Sequence, residues 1–319
     1  MTFSIDSIIT ANKRISPYII KTPLLRLENL DSYLGCRVFA KAECIQKTGS
    51  FKLRGALNKV LSLSREDMER DIVAVSSGNH GRAVAYAAKM FGLRATVIVP
   101  DTAVRVKIEA IKDLGAEIIQ CKAEERYDLA DRLCRERNGV MVPPFDDFEI
   151  MAGQGTVGLE IIDQFPAMDR ILVPVSGGGL LSGVACAVKT LSPRTKVYGI
   201  CPEVLPHFRL SMEKGEPVSV EQRSSVADAL ASRQPGKKTF PVVRRYCDGI
   251  VAVSEEKIRQ GMKLILTEGK LLAEPSSCIG AAALLSGSIP ITKNENVCLL
   301  LSGGNVGLEQ LEGFRDVTL

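Results

Sequence analysis

Residues 43–55 read Glu-Cys-Ile-Gln-Lys-Thr-Gly-Ser-Phe-Lys-Leu-Arg-Gly. They place one lysine, Lys52, directly behind a Thr48-Gly-Ser-Phe51 turn and at the head of an apolar-periodic run. A surface lysine needs no such frame. A lysine that must form an imine with an aldehyde does: its amine has to be partly desolvated, fixed by a tight turn and packed against an aromatic ring. Two glycine-rich runs downstream, Ser176-Gly-Gly-Gly179 and Ser302-Gly-Gly304, supply what a phosphorylated aromatic aldehyde would require. The first can cradle a phosphate, and the second can put a hydroxyl near a ring nitrogen.

Each run has a strand before it. Pro174-Val-Ser-Gly-Gly-Gly-Leu180 follows one strand and opens a helix, so backbone N–H groups converge where the helix end favours an anion. Tight strand-to-helix turns also collect glycine for purely structural reasons. Three in a row behind a serine favour phosphate binding here, although the Gly-Lys-Ser/Thr ending of an ATP-binding loop and the spacing of a dinucleotide fingerprint are both missing. Ser76-Ser77-Gly78-Asn79-His80-Gly81 is a second such turn. Taken as a helix cap it needs no function. Its functional reading is a nest of hydroxyl, amide and backbone donors for a substrate carboxylate, with Asn79 free to donate to a ring hydroxyl. A lone histidine is more often structural, and the His80 side chain is read that way. In Leu299-Leu-Leu-Ser-Gly-Gly-Asn-Val306, Ser302 stands at the tip of a buried strand. A serine beside a pyridine nitrogen leaves it unprotonated, which tempers the electron sink and suits β-elimination.

The elements that must hold these turns alternate short β-branched runs with helix-like segments, the mark of a parallel α/β fold. Strands are expected at 72–76, 93–99, 116–121, 171–175, 196–201, 249–253 and 296–301. Helices are expected at 79–91, 104–114, 124–138, 153–164, from the 176–179 turn through 191, and at 254–268 with Ser254 as N-cap. Residues 202–239 are poorly patterned and read as loop with short helices. Residues 71–146 read as a small mobile lobe, and 1–70 with 147–319 as a large one. In such sheets ligands gather at strand C-terminal ends, where every turn named above falls.

At 319 residues the chain has room for two lobes, and 45% hydrophobic with 24% charged residues is ordinary for a globular enzyme. No apolar run approaches the ~20 residues a membrane helix needs, and Met1-Thr-Phe-Ser-Ile-Asp lacks the features of a signal peptide. The net charge of +4 is spread along the chain without a basic, aromatic-laced stripe, so neither membrane nor nucleic acid is an expected partner. Nine cysteines without a C-x-x-C pair read as reduced cytoplasmic thiols, mostly buried, and two histidines exclude a His-rich metal site.

Phe51-Lys52, Ser77-Gly-Asn-His80, Met151-Ala-Gly-Gln-Gly-Thr156, the Ser-Gly-Gly-Gly turn, Leu272-Ala-Glu-Pro275 and Leu301-Ser-Gly-Gly-Asn305 together resemble fold-type II pyridoxal-phosphate enzymes of the serine/threonine dehydratase and serine racemase subgroup. The resemblance runs from Pro17-Tyr18 to Val306. It implies a tryptophan synthase β-like fold with two lobes, each a mostly parallel sheet flanked by helices. It also implies pyridoxal 5'-phosphate as cofactor and a homodimer. Carried over residue by residue, Lys52 looks like the Schiff-base lysine and α-proton base, and Phe51 like its neighbour at the cofactor. Asn79 looks like the partner of the ring hydroxyl. Gly177, Gly178, Gly179 and Leu180 look like the phosphate loop, which begins with Ser176 here rather than with glycine; Ser302 looks like the partner of the ring nitrogen, and Glu274 lies near the ring. Ser76, Ser77, Asn79 and the backbone at His80 would grip the substrate carboxylate.

The departures bear on substrate. Threonine dehydratases usually carry alanine where this chain has Ser77. Serine racemases carry serine there, as the acid/base on the face opposite the lysine, so racemisation is the alternative to elimination. Arg126 falls where serine racemases have an arginine that would meet an acidic side chain such as that of 3-hydroxyaspartate; a solvated arginine in a charged run is the competing reading. Family members hold a divalent cation through carboxylates after the Val-Tyr strand. Here Cys201 and His207 stand in their place, and a softer Cys201, Glu203 and His207 set has only weak support from spacing, so no metal is expected. Ala227-Asp-Ala and Gly-Asn-His-Gly-Arg82 are also similar to dehydratase-like proteins of hydroxyectoine utilisation. The expectation is a cytoplasmic ammonia-lyase that converts a small β-hydroxy amino acid (L-threonine, L-serine or 3-hydroxyaspartate) to a 2-oxo acid and ammonia. A non-catalytic cofactor-binding protein is disfavoured, since Lys52, Asn79 and Ser302 are all present.

Overall fold

The computed structural model describes residues 3–103 and 105–319. Strand order is what brings the lysine, the glycine loop and Ser302 together. A six-stranded sheet runs β1 (Leu24–Arg26), β2 (Arg37–Ala42), β10 (Asn296–Leu301), β7 (Arg170–Pro174), β8 (Lys196–Pro202), β9 (Gly249–Val253). A four-stranded sheet runs β5 (Glu117–Cys121), β4 (Ala95–Pro100), β3 (Ile72–Val75), β6 (Val140–Met141). Every pairing is parallel except β1 with β2.

Both faces of each sheet are covered, as parallel sheets require. On β10, Val297, Leu299 and Leu301 face a core shared with Ile279 and Ala282, while Cys298 and Leu300 face one shared with Leu181 and Val184. That alternation is the strand's period of two. In the smaller sheet Ile72, Ala74, Val97 and Val99 turn to one core, and Val73, Val75 and Ile98 to the other. All nine cysteines are free thiols.

The strands and helices expected from patterning are present, with two instructive differences. The helix expected at 153–164 is Phe148–Gln164; it begins where the Asp147 side chain accepts from the N–H groups of Glu149 and Ile150. Strand β2 was not anticipated at all. Its Arg-Val-Phe-Ala-Lys-Ala sequence contains Lys41, a charge that breaks the apolar run and is nonetheless fully buried. The helix expected at 104–114 is described as Arg105–Lys112, since Val104 lies outside the described residues. The poorly patterned 202–239 stretch holds the helix His207–Lys214 and a short turn at Asp228–Leu230; the helix Thr239–Tyr246 starts at its end.

Candidate active site

Strands β2, β10 and β7 are neighbours, so their C-terminal ends lie within about 10 Å of one another at the usual inter-strand spacing. Beyond β2 a short turn leads to Lys52, the first residue of the helix Lys52–Leu61. Beyond β10 comes Ser302, and beyond β7 comes the Ser176–Gly179 turn. The 48–51 and 302–305 turns are zipped together. Phe51 N donates to Ser302 O (3.0 Å), Gly304 N to Gly49 O (2.9 Å) and Asn305 Nδ2 to Thr48 O (2.9 Å), and Ser50 pairs with Gly303.

Lys52 Nζ donates to the carbonyl of Pro144 at 2.6 Å and lies 5.2 Å from the centroid of the Phe51 ring. Burial pushes its pKa down to about 8, against the opposing pull of Glu274. Glu274 is itself buried, and desolvation raises its pKa to about 7. Its two oxygens accept from Asn79 Nδ2 at 2.8 and 3.1 Å, while Asn79 Oδ1 accepts from Asn305 Nδ2 at 2.7 Å. The Asn79 amide is therefore already committed on both sides here, its donor to Glu274 rather than to an open site. Arg82 Nη1 extends this chain by donating to Asn305 Oδ1 (2.7 Å).

A buried charge cluster fixes the helix that carries Lys52. Arg54, with no exposed surface, donates from Nε and Nη2 to Glu43 (2.8 and 2.7 Å) and from Nη1 and Nη2 to Glu160 (2.6 and 2.9 Å). Lys41 Nζ donates to the same Glu160 at 2.6 Å. Two cations thus balance two anions, tying the lysine's helix to the end of β2 and to the helix Phe148–Gln164. The neighbouring Arg54 guanidinium holds the Glu43 carboxyl below its ordinary pKa despite the cost of burial.

The glycine turn opens the helix Gly179–Leu191. Gly178 is its N-cap at φ 97°, a left-handed conformation that glycine adopts without penalty. The first helical bond runs from Ser182 N to Gly178 O, leaving the N–H groups of Gly179, Leu180 and Leu181 without intrahelical acceptors. The loop's carbonyls are held elsewhere: Gly177 O accepts from Thr239 Oγ1 (2.6 Å) and Gly236 N (3.1 Å). A Cβ on Gly177 would lie 2.4 Å from the Phe145 ring, so the loop admits no side chain there. Phe145 follows the Pro144 whose carbonyl holds Lys52, and Asp146 accepts from the N–H groups of Lys237 and Lys238 ahead of the helix Thr239–Tyr246. Residues 144–146 thereby link the lysine to the glycine turn. Ser302 Oγ lies 3.0 Å from Ser277 Oγ, which also accepts from Gly303 N and donates to Gly303 O.

Beyond β3, Ser76 Oγ accepts from Gly78 N (3.1 Å), and Gly78 caps the helix Asn79–Met90. Ser77 Oγ has no hydrogen-bond partner among the described residues. The His80 ring is buried against Val142 O (2.8 Å), and burial holds its pKa down at about 3, which keeps it neutral.

Arg126 makes no hydrogen bond or ion pair with this group. It starts the helix Arg126–Glu136 beyond edge strand β5, and its Nε donates back to Ala123 O at 2.8 Å. Cys201, Glu203 and His207 do not converge either. Cys201 Sγ faces Val251 O (3.7 Å), both His207 ring nitrogens face backbone carbonyls, and the described residues contain no cluster of three metal-binding side chains. Sequence reasoning missed Arg54, Glu43, Glu160, Lys41, Thr239, Ser277, Asn305 and the 144–146 segment. Charged residues inside apolar runs were the signal for Lys41 and Arg54.

The site fits pyridoxal phosphate: a cradle that a Cβ would fill, free N–H groups at a helix start, and a desolvated amine beside them. Residues 15–303 match the family model described as pyridoxal-phosphate dependent enzyme. The chain is similar to an L-threonine ammonia-lyase of Thermotoga maritima, 38% identical over 97% of this chain and 77% of that one. Among solved structures it resembles a threonine deaminase from T.th., with 40% identity, a TM-score of 0.90, and 96% of this chain and 99% of that one covered. It also resembles maize serine racemase, with 36% identity, a TM-score of 0.94, and 98% and 97% covered.

Proposed function

The chain belongs to the pyridoxal-phosphate dependent enzyme family, and we propose that it is an ammonia-lyase for a small β-hydroxy amino acid such as L-threonine, L-serine or a 3-hydroxyaspartate. The observation that carries the reading is the meeting of Lys52, the glycine cradle and Ser302 at the ends of three adjacent strands. The similarity to threonine ammonia-lyase and threonine deaminase supports it. Bound there, pyridoxal phosphate supplies the electron sink that acidifies the substrate's Cα–H. The N–H groups of Gly179 and Leu180 would hold its phosphate, Phe51, Asn79 and Glu274 would stand around its ring, and Ser302 would be the partner of its nitrogen.

The chain's own residues then have distinct tasks. The Lys52 amine, with its pKa lowered to about 8, takes the Cα proton at Nζ. Ser76, Ser77 and the first N–H groups of the helix Asn79–Met90, those of Asn79 and His80 among them, hold the substrate carboxylate. The β-hydroxyl leaves as water; hydrolysis returns one water and releases ammonia, so the net products are a 2-oxo acid and ammonia. Residues 71–146 close over the site and exclude water from it. The Lys107–Asp228 ion pair, 2.9 Å long, reaches from that segment to the Asp228–Leu230 turn and supports this movement's end point.

A racemase is the second reading, favoured by the unpartnered Ser77 hydroxyl and by the similarity to maize serine racemase. No helix among the described residues is long and apolar enough to cross a membrane. We place the enzyme in the cytoplasm as a homodimer. Sedimentation of the purified protein tests the dimer, and 2-oxo-acid release from a panel of β-hydroxy amino acids tests the reaction.

A further inference from the structure

His207 is absorbed by none of the roles above, yet it is fully buried and touches the phosphate loop. Its Nε2 lies 2.8 Å from Ser176 O, the carbonyl that opens the glycine turn, and its Nδ1 lies 3.0 Å from Leu205 O. A glycine turn binds an anion only if its carbonyls point away while its N–H groups point in. In this turn Gly177 O is held back by Thr239 and Gly236. Ser176 O has the His207 ring, and the Ser176 hydroxyl accepts from Ser232 N at 3.1 Å. Burial lowers the His207 pKa, so near neutral pH the ring has one N–H to give; carried on Nε2, it makes the shorter of the two contacts, to Ser176 O.

We propose that His207 is a positioning residue of the phosphate loop: its Nε2–H holds the Ser176 carbonyl turned outward, so that the loop's N–H groups converge on the cofactor's phosphate. The proposal rests on the pyridoxal-phosphate reading. It assigns His207 a role that acts through Ser176 and touches no reacting atom.

The test compares pyridoxal phosphate with pyridoxal, which has the same ring and aldehyde but no phosphate. Dissociation constants for both are measured by absorbance titration of cofactor-free wild type and three variants. His207→Phe should weaken pyridoxal phosphate about 3- to 10-fold, the range for one lost neutral hydrogen bond, and leave pyridoxal unchanged. His207→Gln puts an amide N–H near the Nε2 position and should restore the phosphate preference. His207→Asn reaches only the Nδ1 position and should behave like Phe. Gln and Asn also decide the matter if the Phe variant does not fold. Equal weakening of both ligands in all three variants would make His207 a general packing residue and overturn the proposal, as would no change. Failure of the wild type to bind either compound would instead overturn the functional reading, and the proposal with it.

Discussion

Replacing Arg54 by methionine should destabilise the cofactor-free protein by about 3–5 kcal/mol near pH 7, the usual cost of breaking a buried ion pair from one side. In the native cluster Lys41 and Arg54 balance Glu43 and Glu160. Without Arg54, Glu160 keeps Lys41, but Glu43, with no exposed surface, keeps a single hydrogen bond, from the hydroxyl of Thr22 at 2.5 Å, and the more distant attraction of Lys41. The least costly escape is for Glu43 to take up a proton. From an ordinary carboxyl pKa, that costs about 1.4 kcal/mol per pH unit, or about 3–4 kcal/mol near pH 7 and about 1 near pH 5. The two routes to the number agree, and the second adds a pH signature. For a chain of 319 residues, unfolding entropy near 0.7 kcal/mol/K turns this into a Tm drop of about 4–7 °C near pH 7 and about 1–2 °C near pH 5. Scanning calorimetry at both pH values reads it. A drop of the same size at both would mean lost packing rather than an uncompensated charge, and a drop under about 1 °C near pH 7 would refute the reasoning outright.

Three further outcomes are expected. Glu274 has a folded pKa raised to about 7, so its contribution to stability is present at low pH and is lost as pH rises through that value; Glu274→Gln should be the more stable protein above neutrality by about 3 kcal/mol and equal to wild type near pH 4, and parallel Tm-against-pH curves would contradict this. Gly177→Ala sets a methyl 2.4 Å from the Phe145 ring and should weaken cofactor binding about tenfold or more, in line with overpacking costs of about 1–3 kcal/mol, while far-ultraviolet dichroism stays native. Ser77→Ala should abolish any loss of Cα configuration in deuterated water while leaving 2-oxo-acid release measurable; loss of both together would show that Ser77 serves the carboxylate alone.

Lys52, the glycine turn and Ser302 were legible because each is a local run of residue types; the last two also stand at the ends of patterned strands, β7 and β10. That they meet depends on the order β2-β10-β7, and β2 was invisible: the buried Lys41 disrupts its apolar pattern, and only a partner more than a hundred residues away, Glu160, explains the charge. Separation along the chain also hid Arg54 with Glu160, 106 residues apart, the Lys52–Pro144 contact, 92 apart, and Thr239 with Gly177, 62 apart. Spacing gives no sense of direction, so it could not show that the His207 ring points at the carbonyls of Ser176 and Leu205. Arg126 was placed by counting along the chain, which cannot tell a residue facing the site from one turned back on its own loop at a sheet edge.

The most direct test is 2-oxo-acid release by the purified protein loaded with pyridoxal phosphate, assayed on L- and D-serine, L- and D-threonine and the 3-hydroxyaspartates, beside Lys52→Ala. The account predicts release from at least one of these by the wild type and none by the variant. Release by Lys52→Ala at the wild-type rate, or silence of the wild type across the panel, would contradict it.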